Sequence, residues 1–331
     1  MKAGPERIQM MRITKEEAAS MLLSMDNILI FAHENPDGDA VGSACALCHG
    51  LISLGKKAAV WLDGIPANDV HLTKGIMFDN SFTPEHIMTT DTADERILGA
   101  GCGYDKNVKV ELAIDHHFSN TLYAEKTYLD SESAAAGEVI YDLLLGMGVT
   151  ITKEMAECMY IAIATDTGCF RYSNTKARTL RTAAALLDCG IDSGEINRIQ
   201  FETKTKEYVA LEKMAMNSLK TYFDGKCAVM MLTLDMFKES GALDSETQAL
   251  SALPRQIEGV FVGITMKEKE EGFFRISVRT NAPANAAEIA SHLSGGGHPM
   301  AAGCAFVGNK DNALKAVLEH TENQLRNAGL L

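Results

Sequence analysis

Residues 33–39, with the sequence HENPDGD, place one imidazole and two carboxylates at i, i+4 and i+6, on His33, Asp37 and Asp39. Divalent cations bind such mixed nitrogen and oxygen ligands. Pro36 and Gly38 favour a sharp turn that would aim the three side chains inward. The same residue types also form ordinary surface turns, which is the alternative for this segment taken alone.

Three later segments place aspartate or histidine next to apolar runs, at Asp91, Asp115, His116, His117 and Asp166. A carboxylate with two free oxygens can bridge two cations about 3.5–4 Å apart, the separation used in two-metal hydrolysis. That chemistry suits the cleavage of a phosphate ester. Mixed histidine and aspartate ligation is compatible with Mn²⁺, whereas a shell of oxygen atoms alone would favour Mg²⁺.

The elements that must position these residues alternate between strands and helices. Apolar runs predict strands over 28–32, 58–62, 85–90 and 108–114, and apolar periodicity predicts helices over 40–54, 133–145, 152–164 and 176–189. Polar turns therefore follow apolar segments, with helices between them. This order indicates an α/β fold with a mostly parallel, doubly wound sheet whose strand ends converge on one crevice.

A different pattern begins beyond Gly225. Strands are predicted over 227–234, 259–266, 273–280 and 302–307, and helices over 286–293 and 311–327. Residues 267–272 form an acidic turn typical of a hairpin. The sequence thus predicts a second, smaller α+β domain.

Composition limits the classes of function. The 331 residues, 46% hydrophobic and 23% charged, are enough for two globular domains. No apolar run approaches the ~20 residues of a membrane span, and residues 1–12 lack a signal-peptide core, so we expect a cytoplasmic protein without a membrane partner. The net charge of −13 argues against binding of long nucleic acid, which needs a basic footprint. A small anionic substrate remains compatible, because bound cations change the local field.

Eight cysteines are present. Cys45 and Cys48 form a Cys-x-x-Cys, but it lies in a helical pattern and has no second pair, so we prefer core packing to a metal site. Free thiols in a reducing compartment are predicted.

Five separated motifs together resemble those of the DHH phosphoesterase family, within the RecJ-like superfamily. They are HENPDGDA at 33–40, DTAD at 91–94, DHH at 115–117, ATDTG at 164–168, and GGGH at 295–298 with AAG at 301–303. The last is typical of a C-terminal DHH-associated domain of the first type. The resemblance covers about residues 13–328. In length and order the chain looks like the branch that acts on very short RNA (nano-RNase) and on 3′-phosphoadenosine-5′-phosphate (pAp).

The resemblance implies a catalytic domain over 13–190, a helical connector over 191–223 and a substrate-binding domain over 224–331, with a cleft between the two main domains. It implies two Mn²⁺ ions, with Mg²⁺ or Co²⁺ as alternatives. One ion would be held by His33, Asp37 and Asp91, and the other by Asp39, Asp91, His116 and Asp166. A hydroxide between the ions would attack phosphorus.

Two further residues of the DHH motif receive roles from the resemblance. His117 would face the substrate phosphate or help to protonate the leaving group. Asp115 would orient a histidine, as carboxylates commonly do for metal ligands, with a capping or structural role as the alternative. Asn35 would either contact substrate or shape its turn, and Asp94 is interpreted as a helix-start residue rather than a ligand.

Substrate recognition is assigned to the second domain. Backbone N–H groups of Gly295, Gly296 and Gly297, in a glycine-rich loop, would bind an anion, and His298 would donate to a phosphate. Arg279 would clamp phosphate with its bidentate fork, unless it is simply an exposed strand residue. Arg171 and Asn174 are weaker candidates.

The predicted activity is metal-dependent hydrolysis of short oligoribonucleotides to mononucleotides, and of pAp to AMP. A phosphodiesterase for cyclic or linear dinucleotides (pApA) is the second interpretation, with the same metals and a different pocket. A nucleotide-binding module without catalysis is the third, and the intact ligand set argues against it. The resemblance is also compatible with a homodimer.

Overall fold

The computed structural model describes residues 11–98 and 109–331. The chain divides into two compact units, Met1–Thr203 and Lys204–Leu331. Residues 1–10, Cys102 of the predicted thiols and Val108 of a predicted strand lie outside the described residues. Among the described helices, none combines the length and the apolar character needed to cross a membrane.

The first unit contains a six-stranded parallel sheet. Its strands are β1 (Met11–Arg12), β2 (Ile28–Phe31), β3 (Ala58–Trp61), β4 (His86–Thr90), β5 (Leu112–Asp115) and β6 (Lys126–Leu129). They pair in the order β1-β6-β5-β4-β2-β3, and every pairing is parallel. All four residues of β2 are buried, as expected for a parallel strand covered on both faces. The predicted α/β fold with a mostly parallel sheet is confirmed.

Six α-helices accompany this sheet. They are α1 (Lys15–Ser24), α2 (Gly38–Ser53), α3 (Ala136–Gly146), α4 (Lys153–Asp166), α5 (Ala177–Asp188) and α6 (Ser193–Asn197). Short 3-10 helices cover Val70–Thr73 and Glu95–Ile97, and a π-helix covers Arg198–Glu202. Thr14 caps α1 and forms a capping box with Glu17.

Alternate residues of β2 belong to two different cores. Ile28 and Ile30 join the helices in the main core, while Leu29 and Phe31 join a smaller cluster on the other face. Helices α2 and α4 lie so close that a Cβ on Gly42 would be 2.3 Å from the carbonyl oxygen of Cys158. Only glycine fits there, and its absence of a side chain permits the close contact of the two helices.

The second unit contains a six-stranded mixed sheet. Its strands are β7 (Lys220–Tyr222), β8 (Cys227–Leu232), β9 (Val262–Glu270), β10 (Phe273–Thr280), β11 (Gly296–His298) and β12 (Ala301–Val307), in the order β11-β12-β10-β9-β8-β7. Strands β8 and β9 are parallel, and the other pairs are antiparallel. The helices are α7 (Lys206–Asn217), α8 (Leu234–Ser240), α9 (Ala286–Ser291) and α10 (Lys310–Asn327), with a 3-10 helix over Asp244–Gln256. The smaller α+β domain is therefore confirmed.

Several elements differ from the sequence prediction. Strands β1, β6 and β7 were not predicted, and β7 lies within the stretch that was expected as a helical connector. The helix expected from Ser133 begins at Ala136, because residues 130–133 form a turn in which Ser133 donates to Asp130 through both its N–H and its hydroxyl. The glycine-rich stretch expected as a loop is the edge strand β11, paired with β12.

Candidate metal centre

The first unit brings its aspartate and histidine side chains together at the carboxyl end of the sheet. Strands β5, β4 and β2 are direct neighbours, and the DHH segment, Asp91 and the 33–39 turn stand at their respective ends. Adjacent parallel strands end at the same edge of a sheet, so these segments meet there. Asp166 comes from a different direction, as the last residue of α4.

Nε2 of His116 lies at the middle of the cluster. It is 3.5 Å from Oδ2 of Asp39, 3.4 Å from Oδ1 of Asp91 and 3.5 Å from Oδ2 of Asp166. Nε2 of His33 is 3.9 Å from the other oxygen of Asp91. Asp91 thus faces His116 with one of its oxygens and His33 with the other.

Ligand atoms gather in three overlapping groups, and within each group all atoms lie within 4.8 Å of one another. The groups are His33 with Asp37 and Asp91, Asp39 with His116 and Asp166, and Asp91 with His116 and His117. The first two groups share no residue, and the third connects them through Asp91 and His116. Two cation positions with Asp91 next to both are consistent with this arrangement.

Both central histidines present Nε2 to the carboxylates because Nδ1 is bound elsewhere. Nδ1 of His33 lies 3.0 Å from the carbonyl oxygen of Glu34, and Nδ1 of His116 lies 3.4 Å from that of Ser133. A carbonyl oxygen can only accept, so each Nδ1 carries the proton. The tautomer that leaves Nε2 free to bind a metal is therefore favoured.

Asp39 is fully buried and held by the first turn of α3, which is distant in sequence. It accepts hydrogen bonds from the backbone N–H groups of Ala136 (2.6 Å) and Gly137 (2.9 Å) and from the hydroxyl of Ser43 (2.9 Å). Asp37 instead caps α2, and its Oδ1 accepts from the N–H groups of Asp39 and Ala40, both at 3.1 Å. Each carboxylate is thus fixed by backbone donors.

Asp115 is fully buried and orients the DHH segment. Its Oδ1 accepts from the backbone N–H of His116 and from Nδ1 of His117, both at 2.8 Å. Its Oδ2 accepts from Nδ2 of Asn120 at 2.6 Å. With Nδ1 bound to Asp115, the Nε2 atom of the partly exposed His117 is available to a substrate oxygen.

Four clustered carboxylates have shifted pKa values when no cation is bound. Burial, followed by repulsion from Asp91, raises the pKa of Asp37 and, more strongly, that of Asp39. Burial raises the pKa of Asp166 to about 7, although His116 opposes the shift. Burial acts in the same direction on Asp91, but its histidine neighbours outweigh burial and lower its pKa.

The pKa values of the two DHH histidines are also raised, but here neighbouring carboxylates and not burial are the cause. Burial would lower the pKa of His116, yet the carboxylates of Asp91, Asp39 and Asp166 raise it well above its ordinary value. For His117, burial is likewise outweighed by the bond to Asp115, and the pKa is raised. The cluster is therefore an environment that favours positive charge.

Buried atoms without partners show that a cation fits this cluster. Oδ1 of Asp91 and Nε2 of His116 are buried and make no hydrogen bond within the described part of the chain. Leaving such atoms unpaired is unfavourable, and a divalent cation would satisfy both. Carboxylate and imidazole ligands are the set that suits Mn²⁺ and related ions.

Comparisons with known proteins agree with this geometry. The model of the DHH family, N-terminal domain, matches residues 27–163, and that of the DHHA1 domain matches residues 224–326. A protein of Thermus thermophilus named bifunctional oligoribonuclease and PAP phosphatase NrnA is 32% identical over 314 residues, which span 92% of each chain. The chain belongs to the DHH family. A protein of the same name from Bacillus subtilis is 25% identical over 297 residues, covering 88% of this chain and 93% of that one.

Solved structures show the same DHH fold. An exopolyphosphatase-related protein from Bacteroides fragilis superposes with a TM-score of 0.83 at 24% identity, covering 93% of this chain and 96% of that one. RecJ from Thermus thermophilus, solved in complex with Mn²⁺, gives a TM-score of 0.54 at 15% identity and covers 93% of this chain and 55% of that one.

Predicted residues of the DHH domain fall into two sets in the structure. All six predicted ligands lie in the cluster, and so does His117, whose Nδ1 is 3.5 Å from Oδ1 of Asp91. Asp94 lies outside it and caps the 3-10 helix Glu95–Ile97, where it pairs with Arg96, as the helix-start interpretation predicts. Asn35 has a φ of 52°, a conformation that asparagine tolerates, which agrees with a turn-forming role.

A loop and the first residues of α3, which the sequence did not single out, contact two members of the DHH site. Residues 133–137 donate to Asp39 and accept from His116, as described above. Nδ2 of Asn174 donates to the carbonyl oxygens of Ala134 and of Asp166, both at 3.1 Å. Arg171 is bound locally, from Nε to the carbonyl oxygen of Gly168. Backbone donors carry no signal in a sequence. Asn174, a weak candidate from the sequence, contacts the backbone of Ala134 and of Asp166 and so helps to position them.

Arg178 holds this loop in place. Its guanidinium lies 3.0 Å from carboxylate oxygens of Asp130, Glu138 and Asp142 and donates to the hydroxyl of Ser133. Glu138 is fully buried and accepts from the backbone N–H of Ala134 at 2.8 Å. The arginine thus neutralises a buried carboxylate beside the start of α3, which positions Asp39.

In the second unit, Arg279 and His298 lie on one face of the sheet. Both pair with Ala301, Arg279 from β10 and His298 from β11, on opposite sides of β12. Laterally paired residues point to the same face, and two strand spacings put the backbones about 10 Å apart. His298 is exposed, and a Cβ on Gly297 would be 2.6 Å from the carbonyl oxygen of Ala301. Packing of β11 on β12 therefore accounts for this glycine.

Arg279 also lines a polar cavity of about 210 Å³ in the second unit. The other lining residues are Leu232, Asp244, Thr247, Ser251, Thr265, Lys267 and Ser277. Nζ of Lys267 is 2.9 Å from Oδ1 of Asp244 and donates to the hydroxyl of Thr247. Two cationic side chains and one carboxylate therefore border the cavity, and the remaining positive charge suits an anionic group.

Proposed function

We propose that this protein is a Mn²⁺-dependent phosphoesterase that hydrolyses short oligoribonucleotides to mononucleotides and pAp to AMP. The observation that carries the proposal is the cluster in which Asp91 lies next to two groups of cation ligands. The names of the relatives from Thermus thermophilus and Bacillus subtilis support the choice of substrate.

His33, Asp37 and Asp91 would hold one cation, and Asp39, Asp91, His116 and Asp166 the other. When bound, two divalent cations supply Lewis acidity toward phosphate oxygens and make a water molecule acidic enough to act as the nucleophile. Backbone donors to Asp37 and Asp39 keep these ligands in position before substrate arrives, so little reorganisation is required at the moment of reaction.

His117 would act on the substrate itself. Asp115 accepts from its Nδ1 and favours the protonated ring, so Nε2–H is directed at a phosphate oxygen or at the leaving oxygen. Asp115 is in this proposal a positioning residue. Because it also binds Asn120 and the backbone of His116, one carboxylate sets the orientation of both histidines.

For the second unit, we infer that Arg279, His298 and the N–H groups of Gly295, Gly296 and Gly297 contact substrate. The common face of Arg279 and His298 and the cationic border of the cavity support this inference. His298→Ala should raise KM with little change in kcat, because the residue lies outside the metal cluster.

The net charge of −13 supports short substrates rather than long nucleic acid. The three-part domain division, the homodimer and the cytoplasmic location stay predictions. Size-exclusion chromatography with light scattering tests the homodimer.

The decisive experiment compares four substrates with purified protein and Mn²⁺: a diribonucleotide, pAp, cyclic di-AMP and a long single-stranded RNA. We expect turnover of the first two and little of the last. Preferred turnover of cyclic di-AMP would replace the proposal by a dinucleotide phosphodiesterase. Inactivity on all four, with bound metal verified by elemental analysis, would leave only a nucleotide-binding module.

A further inference from the structure

Phe118 is the most exposed of the large apolar side chains in the described ranges, at 87%. It directly follows His117, whose Nδ1 is 3.5 Å from Oδ1 of Asp91. Single exposed apolar side chains are common and need no explanation in themselves. The position of this ring, one residue from the metal cluster, does require an explanation.

The backbone that carries Phe118 is held firmly. Residues 117–120 form a turn closed by a hydrogen bond from the N–H of Asn120 to the carbonyl oxygen of His117, at 3.0 Å. The side chain of Asn120 donates to the buried Asp115 (2.6 Å) and to the carbonyl oxygen of Thr92 (3.2 Å). The ring is therefore presented from a fixed position rather than from a free loop.

Two more hydrogen bonds secure the end of this turn. The N–H of Leu122 donates to Oδ1 of Asn120 at 2.7 Å, and the N–H of Thr121 donates to the carbonyl oxygen of Ala93 at 2.9 Å. A turn bound to the DHH carboxylate on one side and to the segment after Asp91 on the other moves with the metal cluster. The backbone of Phe118 is thereby kept at a nearly constant distance from the metal cluster.

A flat apolar ring in water beside a phosphate-cleaving centre matches the chemistry of a nucleobase. Aromatic side chains bind bases by stacking, which excludes water from both faces in contact and tolerates any base because every base has a π-face. The charged residues of the cluster suit a phosphate, but they provide no apolar surface for a base. Phe118 supplies the missing kind of contact.

We propose that Phe118 is a stacking platform for a nucleobase of the substrate and makes the enzyme selective for nucleotide esters over esters without a base. The inference rests on the proposed function, since it requires a substrate that carries a base. It assigns the contact to the DHH segment itself, independently of the second unit.

Equilibrium binding tests the proposal without turnover. The full chain with Mn²⁺ is titrated with a dinucleotide whose linkage is a non-hydrolysable methylenephosphonate, and with the same compound lacking both bases. Phe118→Ala should weaken binding of the first about tenfold and leave the second unchanged, because stacking contributes roughly 1–3 kcal/mol per base. Val307→Ala, which shortens a side chain that is 81% exposed, is the matched control and should change neither.

Tryptophan fluorescence provides a second readout. Trp61 is the single tryptophan of the chain, so the double variant W61F/F118W carries its only indole at the turn. Emission should be quenched by the dinucleotide analogue and not by its base-free counterpart. The aromatic replacement should also restore the affinity that Phe118→Ala loses.

Failure of the stacking role and failure of the proposed function give different results. If Phe118→Ala binds the dinucleotide analogue as the wild type does, or loses both analogues equally, the stacking role is overturned. If the wild type does not bind the dinucleotide analogue, the role is likewise overturned. Wild-type protein that binds the analogue through Phe118 but hydrolyses no nucleotide would contradict the proposed function and retain the stacking site.

Discussion

His117 donates from Nδ1 to Oδ1 of Asp115 over 2.8 Å, and Asp115 is fully buried. The same carboxylate accepts from the backbone N–H of His116 and from Asn120. Three donors therefore converge on one side chain that does not itself point at the cation ligands. A residue next to the metal cluster thus acts through the histidines that it orients.

Asp115→Asn should lower kcat about 10–100-fold while changing the melting temperature little. The carboxamide keeps the shape of the side chain but turns one acceptor into a donor, so at least one of the three hydrogen bonds is lost. Steady-state kinetics with saturating Mn²⁺ measures the effect. Asp79→Asn, at an exposed carboxylate, is the control and should behave as the wild type. Unchanged kcat for Asp115→Asn would remove the positioning role.

Asp91→Asn should reduce kcat roughly a thousandfold, equivalent to about 4 kcal/mol, and lower the number of bound metal ions. Asp91 faces both ligand groups and has a φ of 49°, a conformation that asparagine also tolerates, so the backbone is preserved. Activity and elemental analysis of the purified variant are the measurements. The matched control is Asp94→Asn in the same segment, where the carboxylate pairs with Arg96 instead. Full metal content in Asp91→Asn would show that the assigned bridge is wrong.

Gly42→Ala should destabilise the first unit by about 1–3 kcal/mol, because the new Cβ would be 2.3 Å from the carbonyl oxygen of Cys158 and would force α2 away from α4. Thermal denaturation should show a decrease of about 2–4 °C per kcal/mol. Gly146→Ala, at the end of α3, meets only Lys15 at 4.0 Å and should be neutral or slightly stabilising. If Gly42→Ala left the melting temperature unchanged, α2 and α4 would be able to move apart without loss of stability.

Arg178→Ala should lower the free energy of unfolding by about 2 kcal/mol, because it leaves Glu138 buried without its cationic partner, and solvent access to the guanidinium limits the loss. Metal affinity should fall as well, since the start of α3, which donates to Asp39, loses its anchor. Calorimetric titration with Mn²⁺ and thermal denaturation test both effects. Arg198→Ala, in an exposed pair with Glu195, should change neither quantity measurably.

The buried thiols should react slowly in the native protein. Burial raises the pKa of Cys48 and of Cys227 to about 12, so hardly any thiolate is present at pH 8. Among the cysteines of the described residues, mass spectrometry after brief alkylation should find Cys169 and Cys189, which are only half-buried, modified first. In guanidinium chloride all eight cysteines should react. Rapid native modification of Cys48 would contradict the assigned burial.

Strong local signals explain which parts could be predicted from the sequence. The run Ile28–Phe31 before His33 predicts a buried strand, and the structure has β2 there with every residue covered. Strand β1 has two exposed residues and β6 has only one fully buried residue, so neither has an apolar pattern to detect. Their pairing is imposed by neighbouring strands rather than by their own side chains.

The limits of prediction at the site have a different cause. Ligand types are visible in the sequence, but donors to Asp39 are backbone N–H groups of Ala136 and Gly137, which any residue other than proline possesses. Asn120 resembles an ordinary turn residue until Asp115 is seen beside it. The glycine-rich stretch shows a visible pattern with two possible causes. Close packing of an edge strand requires glycine, and so does an anion-binding loop.

The strand order β5-β4-β2 has a consequence for folding. The ligands carried by these three neighbours come from segments separated by dozens of residues, so no two of the three segments can meet before their strands have paired. High-affinity cation uptake is thus a late event that requires long-range contacts, and an early intermediate has no complete site to occupy. The time course of cation uptake during refolding would consequently report when the parallel sheet is complete.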